Sequence, residues 1–266
     1  MGGVFLALTA IFYVAVPTRG LLDVDWKIFH HWNFLNPYQP GDPVYSPPWL
    51  ILLPYLKLPV ALGGAINRAL MFLVIIWWGL RHRLSLTSIV ALLTSPFFFG
   101  NLLYNNIDHL ILFGLAAQDI SAAWALTLKP HLTIGAILFR IKKQPVTFGG
   151  ILTGLLIVSL LIWHNWPIAA ITAILRSTAG GGTAASARNL AIFWWPLSII
   201  PGTIGVWYGI RQDDWAIAAL AGLLLSPYLT IANLMILHGI TSVRWPKFAW
   251  FLWITGWLFT AWMLVR

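Results

Sequence analysis

Cysteine and glutamate are both absent from this 266-residue chain. Without a thiol there is no disulfide, no thiolate nucleophile and no Cys-ligated metal. Without glutamate, every carboxylate is an aspartate: Asp23, Asp25, Asp42, Asp108, Asp119, Asp213 and Asp214. Candidates for acid–base chemistry are therefore few. Charge is scarce altogether, at 9% of residues, whereas a soluble domain carries roughly 25% to face water. This chain cannot clothe such a surface, and lipid is the solvent that suits it.

What is present agrees. Hydrophobic residues make up 59% of the chain, and the 17 Trp and 7 Tyr are amphipathic rings that favour membrane–water interfaces. The formal net charge of +9 comes from 16 Lys+Arg against 7 Asp+Glu. On a soluble protein that excess would suggest nucleic acid. Here the cations sit in short clusters between apolar runs, the pattern that encodes membrane topology, so no nucleic-acid partner is expected.

The expected architecture is all-α: a polytopic bundle of about 9–11 transmembrane or re-entrant helices in one transmembrane domain, 1–266. The run Gly2–Val16 lacks a basic leader and a small-residue cleavage site and reads as an uncleaved first span. From Arg19 to Pro48 the chain turns polar, aromatic and proline-rich, and with the short interfacial segment Trp49–Lys57 it forms an outer loop over 18–60. Spans follow at Leu62–Leu80 and Ser85–Phe99, then two shorter pieces, Ile107–Ala117 and Ile120–Leu128. His131–Phe139 and Phe148–Trp163 come next, and a second polar loop covers 164–189. Leu190–Ile210, Trp215–Pro227, Tyr228–Ile240 and Phe248–Val265 complete the set.

Several of these pieces fall short of the roughly 20 residues that cross a bilayer. They read as broken helices, which survive at membrane depth only beside protein or a polar cavity. Arg81, Arg83, Arg140, Lys142, Lys143, Arg211, Arg244 and Lys247 share one side when the N-terminus is inside, which satisfies the positive-inside rule. Both polar loops then face outward.

Four outward patches carry chemistry. Leu22-Asp23-Val24-Asp25-Trp26 offers a carboxylate that could serve an acceptor hydroxyl as general base; a solvated loop acid is the plain alternative. Tyr45-Ser46-Pro47-Pro48 starts a short helix, proline being cheap at that position. Asn101, Asn105, Asn106, Asp108 and His109 lie at a span end, where an ionisable residue is a functional candidate or merely interface-solvated. Lys129-Pro130 and Arg68 could hold a phosphate, or snorkel to the interface. His30, His31, His109 and His131 have no recognised metal-ligand spacing.

The order of these patches resembles the GT-C superfamily, and within it the polyprenol-phosphate-mannose-dependent α-mannosyltransferases. Asp25-Trp26-Lys27-Ile28-Phe29 matches that family's outer-loop aspartate segment, and Asn36-Pro37-Tyr38 its Pro-Tyr turn. Tyr45-Ser46-Pro47-Pro48 approximates its proline-rich helix start. Asn105-Asn106-Ile107-Asp108 stands where its Gly-Gln-x-Asn motif belongs, and Lys129-Pro130 matches a Lys–Pro segment between short helices. The likeness spans roughly residues 1–145.

The resemblance implies transfer of a hexose, mannose foremost, from a polyprenyl-phosphate donor to a lipid, glycan or protein acceptor, with inversion, on the extracytoplasmic side. Asp25 would be the base, with Asp23 its rival. Arg68 and Lys129 would neutralise the departing phosphate; Asn105, Asn106, Asp108 and Tyr45 would contact substrate. No organic cofactor is implied, and a divalent metal is left open. Two other classes stay open: a transporter or flippase for a lipid-linked or anionic substrate, and a catalytically inactive membrane scaffold. The long first outer loop and the lack of visible repeats favour the enzyme.

Overall fold

A computed structural model of the protein describes residues 2–16, 22–33, 46–178 and 189–265. Among them are 14 α-helices and no strand. One helix, Val60–Arg81, is long and apolar enough to cross a membrane; two bent helix pairs bring the number to three if each is one span. The chain divides into two compact units: residues 1–31, 54–116 and 231–266, and residues 32–53 and 117–230.

The first unit contains α1 (Gly2–Ala15), α2 (Val24–His31), α3 (Val60–Arg81), α4 (Leu86–Leu93), α5 (Pro96–Tyr104) and α6 (His109–Ala116). Two later helices, α13 (Leu234–Arg244) and α14 (Pro246–Val265), complete it. The expected single span Ser85–Phe99 is instead a pair, α4 and α5, bent by 46°. Ser95 and Pro96 explain the break. The Ser95 hydroxyl accepts from the Phe98 N–H at 3.1 Å, and Pro96 at the first turn lacks the N–H that would have continued the previous helix.

Backbone groups freed by such a break need other partners when buried. The Thr94 carbonyl accepts from the Trp257 indole at 2.9 Å, and the Thr94 hydroxyl meets the Trp253 indole at 3.2 Å. Other long ties run from the Trp78 indole to the Gly239 carbonyl, at 3.2 Å, and from the Asn101 amide to the Ala232 carbonyl, at 2.6 Å.

The second unit contains α7 (Ile120–Thr127), α8 (Pro130–Lys143), α9 (Thr147–Trp163), α10 (Trp166–Thr178), α11 (Ile199–Arg211) and α12 (Trp215–Leu224), with 3₁₀ turns at Pro48–Leu52 and Leu190–Phe193. Two expectations change here. The polar loop at 164–189 begins with a helix, α10, bent by 93° from α9. Trp166, Ala170 and Ile174 are buried at four-residue spacing, one helical face, and the Trp166 indole donates to the Ser159 hydroxyl at 2.8 Å. The expected span Leu190–Ile210 is interrupted at residues 194–198, where Pro196 cannot supply a helical N–H.

Glycine makes close helix packing feasible in this unit. A Cβ on Gly135 of α8 would stand 1.9 Å from the Ala218 carbonyl oxygen of α12, so only hydrogen fits. At the polar end, Lys143 bonds Asp213, holding that carboxyl below its ordinary range, with weaker help from the charges of Lys143 and Lys142.

Candidate functional site

The candidate site belongs to the first unit and is built around the N-terminus of α2. Trp26 and Phe29, three residues apart on one face of the helix, are buried, as is Asp23 just before it. That face lies against α3, where two glycines allow close approach. A Cβ on Gly63 would meet the Tyr55 carbonyl at 2.7 Å and the Trp26 ring at 2.9 Å; one on Gly64 would meet the Asn105 amide nitrogen at 2.9 Å. The Trp26 indole donates to the Val60 carbonyl at 3.2 Å and its ring stacks on Tyr55, centroids 5.6 Å apart.

Inside this contact is a fully buried polar network. Arg68 Nη2 lies 2.6 Å from Asp23 Oδ1, the two side chains being 1% and 0% exposed. Charges buried this far persist only when paired and hydrogen-bonded. Arg68 Nε donates to the Leu102 carbonyl at 3.0 Å, and the Asp23 N–H donates to the Leu103 carbonyl at 3.0 Å. The Asn105 amide donates to Asp23 Oδ1 at 2.7 Å and to the Gly64 carbonyl at 3.1 Å. The second Asp23 oxygen has no hydrogen-bond partner among the described residues.

Asn67 is the hub that sequence reading missed. Its amide donates to Asn105 Oδ1 at 2.8 Å and to the Asn106 carbonyl at 3.0 Å, while its Oδ1 accepts from the Tyr55 hydroxyl at 3.0 Å. The signal was available: Asn67-Arg68 is a polar pair in the middle of an otherwise apolar span, where polar residues are costly.

Backbone conformation supports the same arrangement. Asp23 has φ 63°, and Asn105, which caps α5, has φ 55° and ψ 51°. The left-handed region is uncommon outside glycine, with Asn and Asp enriched several-fold, because their short polar side chains bond locally. Both residues are held there by the network.

Asp25 sits differently. It is only half-buried, and its Oδ2 accepts from the Asn106 amide at 2.7 Å. Asn106 Oδ1 in turn accepts the Ile107 N–H at 2.7 Å, so the amide's NH₂ end is directed at Asp25. Asp25 and the Asn-Asn-Ile-Asp motif therefore meet, Asp25 and Asn106 being 81 residues apart.

The remaining expected residues divide. Asp23 is not a solvated loop acid but a buried ion-pair member. Both nitrogen–hydrogen directions of Asn105 are spent on protein acceptors. Asp108 is buried and accepts from Asn233 of the α13 N-terminus at 2.6 Å. Lys129, in the second unit, is 2% exposed and precedes α8; its carbonyl accepts from the Thr133 hydroxyl at 3.1 Å. Tyr45 lies outside the described residues, as do Asn36-Pro37-Tyr38 and Asp42.

His30 and His31 each place Nδ1 on a carbonyl, that of Leu56 at 3.0 Å and that of Lys27 at 2.7 Å. Among the described residues no three His, Asp or Glu side chains converge as a metal would require.

The arrangement can therefore present one half-buried carboxylate beside an oriented amide, next to a buried ion pair. No protein-family model matches this chain, and neither a curated protein nor a solved structure does.

Proposed function

We propose that this protein is a polytopic membrane glycosyltransferase that moves a hexose, mannose foremost, from a polyprenyl-phosphate donor to an extracytoplasmic acceptor, with Asp25 as general base. The observation that supports it best is the contrast between the two aspartates of the outer segment. A general base must reach the proton it takes. Asp23 is buried on Arg68, whereas Asp25 is half-buried with one oxygen steadied by a neutral amide. The preference for Asp25 thus has a physical ground that is independent of the motif likeness.

In this reading the acceptor hydroxyl gives its proton to Asp25 as its oxygen attacks the anomeric carbon. The bond to the lipid phosphate breaks on the opposite face, and the phosphate departs with the electron pair. One base suffices for an inverting displacement, by analogy with glycoside chemistry. The membrane setting rests on composition, on the span-length helix α3 and on the two bent pairs.

The test is a membrane assay with radiolabelled polyprenyl-phosphate-mannose and polyprenyl-phosphate-glucose, following transfer to any acceptor. Transfer that Asp25→Asn abolishes is the expected result; absence of transfer from every donor rejects the proposal. Cysteines at Gly41 and Gly181, positions outside the described residues, label from outside intact cells if the proposed topology holds, and one at Gln144 does not.

A further inference from the structure

We infer that the buried Asp23–Arg68 pair and Asn105 are positioning residues that set Asp25 against Asn106, and that Arg68 acts at this remove instead of touching the donor. The inference rests on the glycosyltransferase reading for its catalytic meaning, but its geometry stands independently.

Both partners of the Asp25–Asn106 contact are anchored in one network. On the Asp25 side, α2 is a short helix of eight residues, too short to be stable without its packing partners. Its rotation is fixed by the residues it buries. Asp23 is tied through its N–H to Leu103 and through its carboxylate to Arg68 and Asn105. Trp26 is fixed on Val60 and Tyr55. Asp23 precedes the first residue of α2 in a left-handed conformation, and with its carboxylate clamped on Arg68 and Asn105 the first turn places Asp25 on Asn106.

On the other side, Asn106 directly follows Asn105. Its carbonyl accepts from Asn67, its N–H donates to the Asn101 carbonyl at 3.1 Å, and its amide is oriented by the Ile107 N–H. Asn105 joins the two halves: its side chain grips Asp23 while its left-handed backbone turns the chain toward Asn106.

Arg68 is buried in this arrangement: it is 1% exposed, its Nε donates to the Leu102 carbonyl, and Nη2 faces Asp23. A phosphate ligand would have to break a buried pair to reach it, leaving Asp23 uncompensated.

The experiment measures Asp25 itself. Purified full-length protein is treated with a water-soluble carbodiimide and glycinamide, and modification of Asp25 is followed by peptide mass spectrometry alongside donor kinetics. Three variants are compared with the wild type: Asp23→Asn/Arg68→Gln, which removes both charges together; Asn105→Gly, which keeps the left-handed backbone and deletes the clamp; and Arg68→Lys, which keeps the ion pair.

The first two variants are expected to raise the Asp25 labelling rate several-fold and to lower kcat about a hundredfold, the scale of a misplaced catalytic group. Donor KM should stay near wild type, and Arg68→Lys should label like wild type. An increased donor KM in the double variant with unchanged Asp25 labelling would put Arg68 on the donor and overturn the inference. Should the wild type transfer no sugar, the glycosyltransferase reading fails while the labelling arm still decides: unchanged labelling in a folded Asn105→Gly variant sinks the positioning role. If the double variant does not fold, Asn105→Gly carries the test.

Discussion

Each of the two units packs helices on glycine, and the first adds a buried polar network. The first is knit by buried polarity: an ion pair, three asparagines and a tyrosine hydroxyl around α2, α3 and α5, with Asn101 and Asp108 bonded to the start of α13. The second is knit by smallness, Gly135, Gly209, Ala218 and Gly222 allowing α8, α11 and α12 to touch through backbone, while its ion pairs stay at an exposed end. Small-residue packing is the inexpensive way to join helices where burial of apolar surface gives no drive. Buried ion pairs are weak stabilisers and strong specifiers of arrangement at best. A unit that uses one when packing alone would do has a geometry to enforce, and here that geometry includes Asp25.

The contrast can be broken most strongly at Asp25. Asp25→Asn keeps shape and the oxygen that Asn106 bonds, but removes the base. Transfer from a polyprenyl-phosphate sugar should fall about a hundred- to ten-thousandfold, with the melting temperature in detergent close to wild type. A variant that melts early as well would make Asp25 a structural residue.

Next comes the ion pair. Arg68→Met leaves Asp23 buried without a counter-charge and should lower stability by about 3–5 kcal/mol, read as a lower denaturation midpoint. Asp23→Asn should also destabilise, which a solvated loop acid would not. A midpoint unchanged in both variants would mean that the pair is not buried in the working protein.

The second unit should respond to bulk instead. Gly135→Ala drives a methyl into the Ala218 carbonyl and should cost about 1–3 kcal/mol as overpacking, again by denaturation midpoint. The same substitution at Gly154, which has open space around its Cβ position, is the control and should not lower it.

The smallest effect belongs to the exposed end. Hydrogen bonding and charge from Lys143 lower the Asp213 pKa from its usual 3.8. A folded-state pKa below the unfolded one contributes stability above about pH 4, and that contribution disappears as pH falls through the depressed value. Asp213 is exposed and screened by salt, so Asp213→Asn should leave the midpoint almost unmoved at neutral pH. A large loss there would show that this end is buried by something else.

The all-helical class was legible because hydropathy runs and Pro or Ser punctuation report on the chain locally, but the described residues hold 14 α-helices where about 9–11 were expected, and only one to three are of span length. Ser95-Pro96 and Pro196 are both visible breakers, yet Ser85–Phe99 and Leu190–Ile210 read as continuous because apolar residues flank each break. Helix α10 was missed for the converse reason, its apolar face being masked by the Gly/Ala/Ser tract that follows. Asn105, Asn106, Asp23, Asp25 and Arg68 were all legible as candidates; which of them bond one another was not.

By itself the sequence determined what kinds of group this protein could use: aspartates only, no thiol, scarce charge and apolar runs that must be helical. Composition and periodicity are properties of the chain, and they constrain solvent and secondary structure directly. Only the tertiary structure decided that Asp23 faces Arg68 while Asp25, two residues on, faces Asn106. That choice depends on the rotation of one short helix against Gly63 and Gly64, and on acceptors more than thirty residues away. Contacts that distant leave no periodic trace, because the energy that selects them appears only when the partners are already in place.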